Sequence, residues 1–127
     1  MKKKIYLASP YWHENSLMRV LRYNNVTEAA GELLKRNFVV FSPITHSHLI
    51  AINWSGHTPN GDYGHKFWLE QDSYFLEWAD EVFVFTQNGW DHSVGVEWEI
   101  AWAEDHDMPV RYLTPGTFEI CEEAPDA

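Results

Sequence analysis

The sequence predicts a single α/β domain built around a parallel β-sheet. Three observations predict it: four short apolar runs are bounded like buried strands, helical periodicity separates them, and 45% of the 127 residues are hydrophobic. Strands that alternate with helices favour a parallel sheet covered on both faces, with right-handed crossovers. Because the length is close to the commonest size of a domain, we expect one compact unit.

The first half of the chain carries two predicted strands and one helix. The strands are the runs KIYLAS (residues 4–9) and NFVVFSP (residues 37–43), both of which run into Ser-Pro. Residues 15–37 predict a helix because apolar residues recur at nearly helical spacing and basic residues fill the last turn. An interruption at Asn24-Asn25 is an open alternative. The apolar positions are Leu17, Leu21, Ala29, Leu33 and Leu34.

The second half repeats the alternation. Residues 80–86 and 108–114 are predicted strands, and residues 66–80 are a predicted helix. A further helix is predicted to begin near Ser93. With the order β-α-β, a long connection and then α-β-α-β, we expect a Rossmann-like sheet with the flavodoxin-like strand order.

Two segments are predicted to lie outside this alternation. The connection at residues 42–66 is too long for a plain turn, and a loop of that length usually serves as a lid or as a wall of a ligand site. The acidic segment at residues 119–127 has no pattern that demands packing. We therefore expect a domain at residues 1–118 followed by a frayed tail.

Composition excludes several classes of partner. Nine Lys and Arg residues against 19 Asp and Glu give a formal charge of -10, which repels extended nucleic acid and anionic lipid surfaces. A small anionic ligand stays possible because a local anion site needs only a few N–H groups. The single cysteine, Cys121, cannot form an internal disulfide, and no apolar stretch suits a signal peptide or a membrane span. We expect a soluble cytoplasmic protein.

Three loops leave the carboxyl ends of predicted strands, at residues 8–15, 42–66 and 86–93. In an open parallel sheet, ligands bind outside these ends. The three loops are therefore predicted to meet over one crevice.

Two glutamates stand near the start of the last predicted helix. Glu97 and Glu99 are about 200° apart around the helix axis, so they cannot both face the crevice. Glu99 lies one turn from Gly95 and from Ala103, and these small residues leave room for a ligand. Glu97 shares its side with Glu104 instead. We predict that Glu99 faces inward and Glu97 faces water, the alternative being that both are exposed helix formers.

A second carboxylate, Asp72, falls on the apolar stripe of its predicted helix. Burial without a partner costs several kcal/mol or raises the pKa, so such residues are usually paired, capping or functional. A hydrogen bond to a neighbouring loop is the structural alternative. Its neighbours one turn away are Trp68, Leu69, Phe75 and Leu76.

Ser93 and Gly95 precede these glutamates at the mouth of the helix. Serine is a favoured N-cap, which is the structural interpretation. A glycine at this position lets a ligand approach the free N–H groups, and the helix dipole favours an anion such as phosphate.

Histidines in the long connection support a rival hypothesis. A metal-dependent hydrolase would use imidazole ligands, but the segment lacks a recognised metal-binding spacing, so no metal is assigned. A third possibility is a non-catalytic nucleotide sensor, which would keep Ser93 and Gly95 without needing both acids. The histidines are His46, His48, His57 and His65.

Two motifs together carry a resemblance to a known family. They are D-x-x-x-L-x-x-A-D at residues 72–80 and S-x-G-V-x-x-E-I at residues 93–100, joined by KIYLASPY at the start and VFSPITHSH at the second strand. These residues resemble the nucleoside 2-deoxyribosyltransferase superfamily, which includes the 2'-deoxynucleoside 5'-phosphate N-hydrolases. Within it, the chain looks most like the branch designated DUF1937.

The resemblance implies cleavage or transfer at the N-glycosidic bond of a nucleoside or nucleotide. Glu99 matches the catalytic glutamate that attacks C1' of the sugar, and Asp72 matches the aspartate that contacts the sugar and assists protonation of the leaving base. Ser93 matches the serine that binds the 5'-phosphate. Tyr6 or Tyr11 matches the aromatic residue at the end of the first strand.

Further substrate contacts follow from the same crevice. One departure concerns the loop after the first strand, SPYWHEN, which lacks the glycine and arginine of the hydrolases. Arg19 and Arg22 are candidate replacements, and without one an unphosphorylated nucleoside is favoured. The resemblance also implies a homodimer that completes the pocket across its interface, with no cofactor. The additional predicted contacts are Ser9, His46, His48, Gly95 and Trp90, and Trp12, Trp54 and Trp68 are further aromatic candidates for stacking on a base.

Overall fold

The computed structural model describes residues 1–54 and 65–126, the side chain of His65 excepted. The strands in this part of the chain are β1 (Lys4–Ala8), β2 (Val39–Phe41), β3 (Glu81–Phe85), β4 (Val110–Leu113) and β5 (Ile120–Cys121). The helices are α1 (Ser16–Lys35), α2 (Pro43–Asn53), α3 (His65–Trp78) and α4 (Val94–Asp105), and a single 3-10 turn covers Trp90–His92.

The five strands form one sheet in the order β2-β1-β3-β4-β5. Strands β1 to β4 are parallel, and β5 is antiparallel to β4. The predicted α/β fold with a flavodoxin-like order is therefore confirmed. None of the helices in the described ranges is both long and apolar enough to cross a membrane.

The prediction of a loop at residues 42–66 is wrong over Pro43–Asn53, which form α2. Ser42 caps this helix because its side chain accepts a hydrogen bond from the backbone N–H of Thr45. Pro43 occupies the first turn, where its missing N–H costs no helical hydrogen bond. Residues 55–64 of the predicted loop lie outside the described part of the chain.

Two smaller expectations are also settled. Helix α1 continues through Asn24-Asn25, so the alternative with an interruption is excluded. The frayed tail is wrong at Ile120–Cys121, because these residues pair with Leu113 and Tyr112 as β5. Residues 122–126 that follow are exposed.

The sheet separates two apolar layers because successive side chains of a strand point to opposite faces. One layer packs on α1, and the other packs on α3 and α4. The α1 layer is centred on Ile5, Leu7, Val26, Ala29, Leu33, Phe83 and Phe85, and the α3/α4 layer on Tyr6, Ala8, Leu76, Val82, Val84, Val96 and Ala103. Tyr6 therefore points from the centre of the sheet toward α3 and α4.

Candidate active site

A tyrosine and two carboxylic acids are buried on the α3/α4 side of the sheet. Tyr6 comes from β1, Asp72 from α3 and Glu99 from α4. Their exposed fractions are 0%, 8% and 5%, so all three are inside the protein. The Tyr6 hydroxyl donates a hydrogen bond to Oε2 of Glu99. Residues 93 positions apart in the chain are thus joined directly.

The phase of α4 places Glu99 inside. Val96 and Ala103, which lie one turn away on either side, are buried against the sheet, and Glu99 shares their face. Glu97 is exposed on the other side of the helix. The predicted orientations of the two glutamates are confirmed.

The phase of α3 buries Asp72 in the same way. Leu76, one turn later, is fully buried, while Gln71 and Ser73 on either side of Asp72 are more exposed than it is. Asp72 therefore occupies an inward position among apolar neighbours, as its sequence pattern predicts. Among the described residues, neither Asp72 nor Glu99 has an ion-pair partner.

Burial raises the pKa of all three groups. It raises the pKa of Asp72 to about 7. It also raises the pKa of Glu99 to about 8, where the hydrogen bond from Tyr6 acts to lower the value and the charge of Asp72 acts to raise it. The pKa of Tyr6 is raised well above its ordinary value by burial and by both carboxylates. At neutral pH, most Glu99 side chains are therefore protonated.

Ser9 lies at the end of β1 and is held by protein groups. Its Oγ accepts a hydrogen bond from Nε2 of Gln87 at 2.8 Å and donates to the Pro10 carbonyl at 3.3 Å. Sequence reasoning did not single out Gln87, which is buried just after β3. Its position could have indicated a role, because it is a long polar side chain that directly follows a buried strand in one of the three loops predicted to form the crevice.

Tyr11 and His48 form a separate cluster with Tyr23. The Tyr11 hydroxyl lies 2.7 Å from Nδ1 of His48, whose ring stacks on that of Tyr23 with centroids 4.1 Å apart. His46 is exposed and lies beside Phe41, with ring centroids 5.6 Å apart. The two histidines therefore have different surroundings: His48 is packed between tyrosines, and His46 is open to solvent.

Ser93 caps α4, as its residue type predicts. Its hydroxyl accepts a hydrogen bond from the backbone N–H of Val96 at 3.2 Å, and Gly95 lies partly buried in the first turn. Ser93, Trp90 and Glu97 line a surface cavity of about 370 Å³ on the outer side of α4. Glu99 does not line this cavity.

The two candidate phosphate-binding arginines both hold the loop that follows β1. Nη1 of Arg22 donates to the Trp12 carbonyl at 2.8 Å, and Arg19 donates to the His13 carbonyl. The Arg19 guanidinium also lies over the exposed Trp12 ring, 4.8 Å from its centroid. Trp54 stacks on Trp68 at 5.7 Å, so these two rings contact each other.

Comparison with known proteins assigns a family. Residues 3–114 match the family model described as Domain of unknown function (DUF1937). The chain belongs to the DUF1937 family. The predicted place in this family is confirmed, and no curated protein matches the DUF1937 chain.

A solved structure shares the fold of this DUF1937 protein. It is that of a 2-deoxyribosyltransferase from the psychrotolerant bacterium Bacillus psychrosaccharolyticus, with a TM-score of 0.54 and 23% sequence identity. The match covers 97% of the DUF1937 chain and 77% of the other chain. At this identity the likeness shows a common fold.

The rival metal hypothesis involves histidines that lie partly outside the described ranges of the DUF1937 protein. Among residues 1–54 and 66–126, no three His, Cys, Asp or Glu side chains are grouped to hold a metal ion. His57 and the side chain of His65 lie outside those ranges.

Proposed function

We propose that this DUF1937 protein cleaves or transfers the N-glycosidic bond of a nucleoside or nucleotide. One observation carries the proposal: the carboxyls of Glu99 and Asp72, from separate helices, are both buried on the α3/α4 side of the sheet, where the Tyr6 hydroxyl donates a hydrogen bond to Glu99. Perturbed acids without a cationic partner are typical of catalytic sites. The fold shared with a protein named as a 2-deoxyribosyltransferase supports the same reaction class.

The proposed chemistry gives the two acids different tasks. A carboxylate oxygen of Glu99 attacks C1' and forms a glycosyl ester, while the bond from C1' to the base nitrogen breaks and its electron pair stays with the base. Asp72 protonates the departing base. Water or a second base then attacks C1' and gives its proton to the ionised Asp72, while the bond from C1' to Glu99 breaks and the carboxylate is regenerated. Water yields the free sugar and a second base yields a new nucleoside, so hydrolysis and transfer differ only in the acceptor.

The protonation states set how much of the protein is ready to react. Glu99 must be ionised and Asp72 protonated, although Glu99 has the higher pKa, about 8 against about 7. Only a minority of the molecules therefore holds the reactive combination at neutral pH. The Tyr6 hydroxyl favours ionised Glu99 because its hydrogen bond acts to lower the pKa of that carboxyl.

The substrate contacts belong to the same proposal. Ser93 and Gly95 offer N–H groups at the start of α4, which suits an anionic group on the sugar. His46 is exposed beside the Phe41 ring and is available to a ligand. Further proposed contacts are Ser9, Tyr11, His48 and Trp90.

We also propose that the protein is a cytoplasmic homodimer. Analytical sedimentation would measure the mass of the assembly.

The test is release of free base from a panel of ribo- and deoxyribonucleosides and their 5'-phosphates, followed by chromatography. We expect release that Glu99→Ala abolishes, that the exposed control Glu97→Ala preserves, and that EDTA leaves intact. Loss of activity with EDTA would favour the metal hydrolase. Ligand binding without any base release would favour the non-catalytic sensor.

A further inference from the structure

The side chain of Gln87 connects three parts of the chain that border the proposed site. Its Nε2 donates to Oγ of Ser9 at 2.8 Å and to the Arg22 carbonyl at 3.1 Å. Its Oε1 accepts a hydrogen bond from Nδ2 of Asn25 at 3.2 Å. Both N–H groups of the amide are used, and Gln87 is 6% exposed. We call these four residues the Gln87 clamp.

The clamp lies where two loops leave the sheet. Ser9 begins the β1–α1 loop (residues 9–15), and Gln87 lies near the start of the β3–α4 loop (residues 86–93). The adjacent strands β1 and β3 continue to helices on opposite faces of the sheet. Open parallel sheets bind ligands beyond the carboxyl ends of two such strands. The clamp therefore sets the spacing of the two loops at this point.

Arg22 extends the clamp to both loops. Its backbone carbonyl is held by Gln87, and its Nη1 donates to the Trp12 carbonyl of the β1–α1 loop. Its Nη2 packs against Gly89, where an added Cβ would lie only 2.4 Å away. Gly89 also has a φ of 96° in a turn closed by the hydrogen bond from Trp90 N–H to the Gln87 carbonyl at 3.1 Å.

We propose that Gln87 is a positioning residue, whose amide ties the two loops together and thereby sets how tightly the crevice holds its ligand. The kinetic part of this inference rests on the proposed function. Gln87 makes no described contact with Tyr6, Asp72 or Glu99, so its removal should change binding more than chemistry. A partly broken network of buried hydrogen bonds loosens the segments that it joins.

The test compares Gln87→Met, which keeps the length of the side chain and removes all three hydrogen bonds, with Gln71→Met, an exposed control on α3. In base-release assays, we expect Gln87→Met to raise KM about tenfold and to change kcat less than threefold. The tenfold change in KM corresponds to about 1.4 kcal/mol of binding free energy. A tenfold fall in kcat at unchanged KM would overturn the proposal, since it would place Gln87 in the chemical step.

Hydrogen exchange gives a second measurement that needs no substrate. We expect backbone amides in residues 9–15 and 86–93 to exchange about tenfold faster in Gln87→Met, while α4 and the control variant keep wild-type rates. Unchanged exchange in both loops of a folded Gln87→Met protein would overturn the positioning role. If the wild type releases no base, the proposed function fails and exchange alone decides the clamp. If Gln87→Met does not fold, Asn25→Leu, which removes one hydrogen bond of the clamp, replaces it. We expect the amides of both loops to exchange about threefold faster in Asn25→Leu, and wild-type exchange rates in that variant would refute the positioning role.

Discussion

The Glu99→Gln substitution tests the burial of the proposed nucleophile without any knowledge of the substrate. Glutamine keeps the size of the side chain and an oxygen that accepts the hydrogen bond from Tyr6, but it removes the ionisable group. Burial raises the pKa of Glu99 from its ordinary 4.5 to about 8 in the folded protein. Between these two pH values, the folded state keeps a proton that the unfolded chain has lost.

The sign of the effect follows from this difference. A raised pKa contributes stability that is fully present below pH 4.5 and is lost as the pH rises through 8. The interval of about 3.5 pH units, at about 1.36 kcal/mol per unit, corresponds to roughly 5 kcal/mol. Since a domain has only about 5–15 kcal/mol of stability, this loss is large enough to measure.

The assay is urea unfolding of wild type and Glu99→Gln at pH 5, 7 and 9. We expect the variant to gain roughly 3–5 kcal/mol relative to wild type between pH 5 and 9, because it has no proton to lose. Glu97→Gln, two residues away on the exposed side of α4, is the matched control and should follow wild type. Parallel pH curves for Glu99→Gln and wild type would refute the claim that folding resists ionisation of Glu99.

Three further predictions concern the site and the β3–α4 loop. The kcat/KM for base release should be bell-shaped with a maximum between pH 7 and 8, since Glu99 must be ionised and Asp72 protonated. The substitution Tyr6→Phe should lower the maximum and move the falling limb to higher pH, because it removes a hydrogen bond that lowers the pKa of Glu99 and because Glu99, with the higher pKa, sets that limb. A flat profile or an unmoved falling limb would contradict this mechanism. The substitution Gly89→Ala should reduce the free energy of unfolding by about 1–3 kcal/mol in urea titrations, because φ is 96° there and the new Cβ would press on Arg22. Wild-type stability of that variant would show that the loop relaxes freely.

Local patterns were sufficient to predict the parallel sheet and the inward carboxylates. The period of an α-helix alone assigns Glu97 and Glu99 to opposite sides, and an acid between Leu69 and Leu76 on one stripe of α3 must face the core. Strands β1 and β3 are buried along nearly their whole length, so they read as continuous apolar runs. These features depend only on residues a few positions apart.

Elements that depend on distant partners were harder to predict. Strand β5 has two residues and exists because Ile120 and Cys121 pair with β4.

Helix α2 was missed for a different reason. It lacks a clean apolar stripe, since Leu49 and Ile52 are exposed, and its start at Ser42-Pro43 resembles the end of a strand. The N-cap and first-turn proline were nevertheless sufficient signals for a helix.

The cost of the buried acids is itself an argument about their purpose. If position 99 served packing alone, glutamine would accept the hydrogen bond from Tyr6 and leucine would fill the space, each without the pH-dependent loss of stability. Asp72 adds a second buried carboxyl, and its charge raises the pKa of Glu99 and so makes Glu99 more costly to ionise. Among the described residues, no cation is paired with either carboxyl to offset that cost. Buried acids whose pKa values are raised toward neutral pH at a cost in stability are those expected where a proton and a nucleophile are needed together.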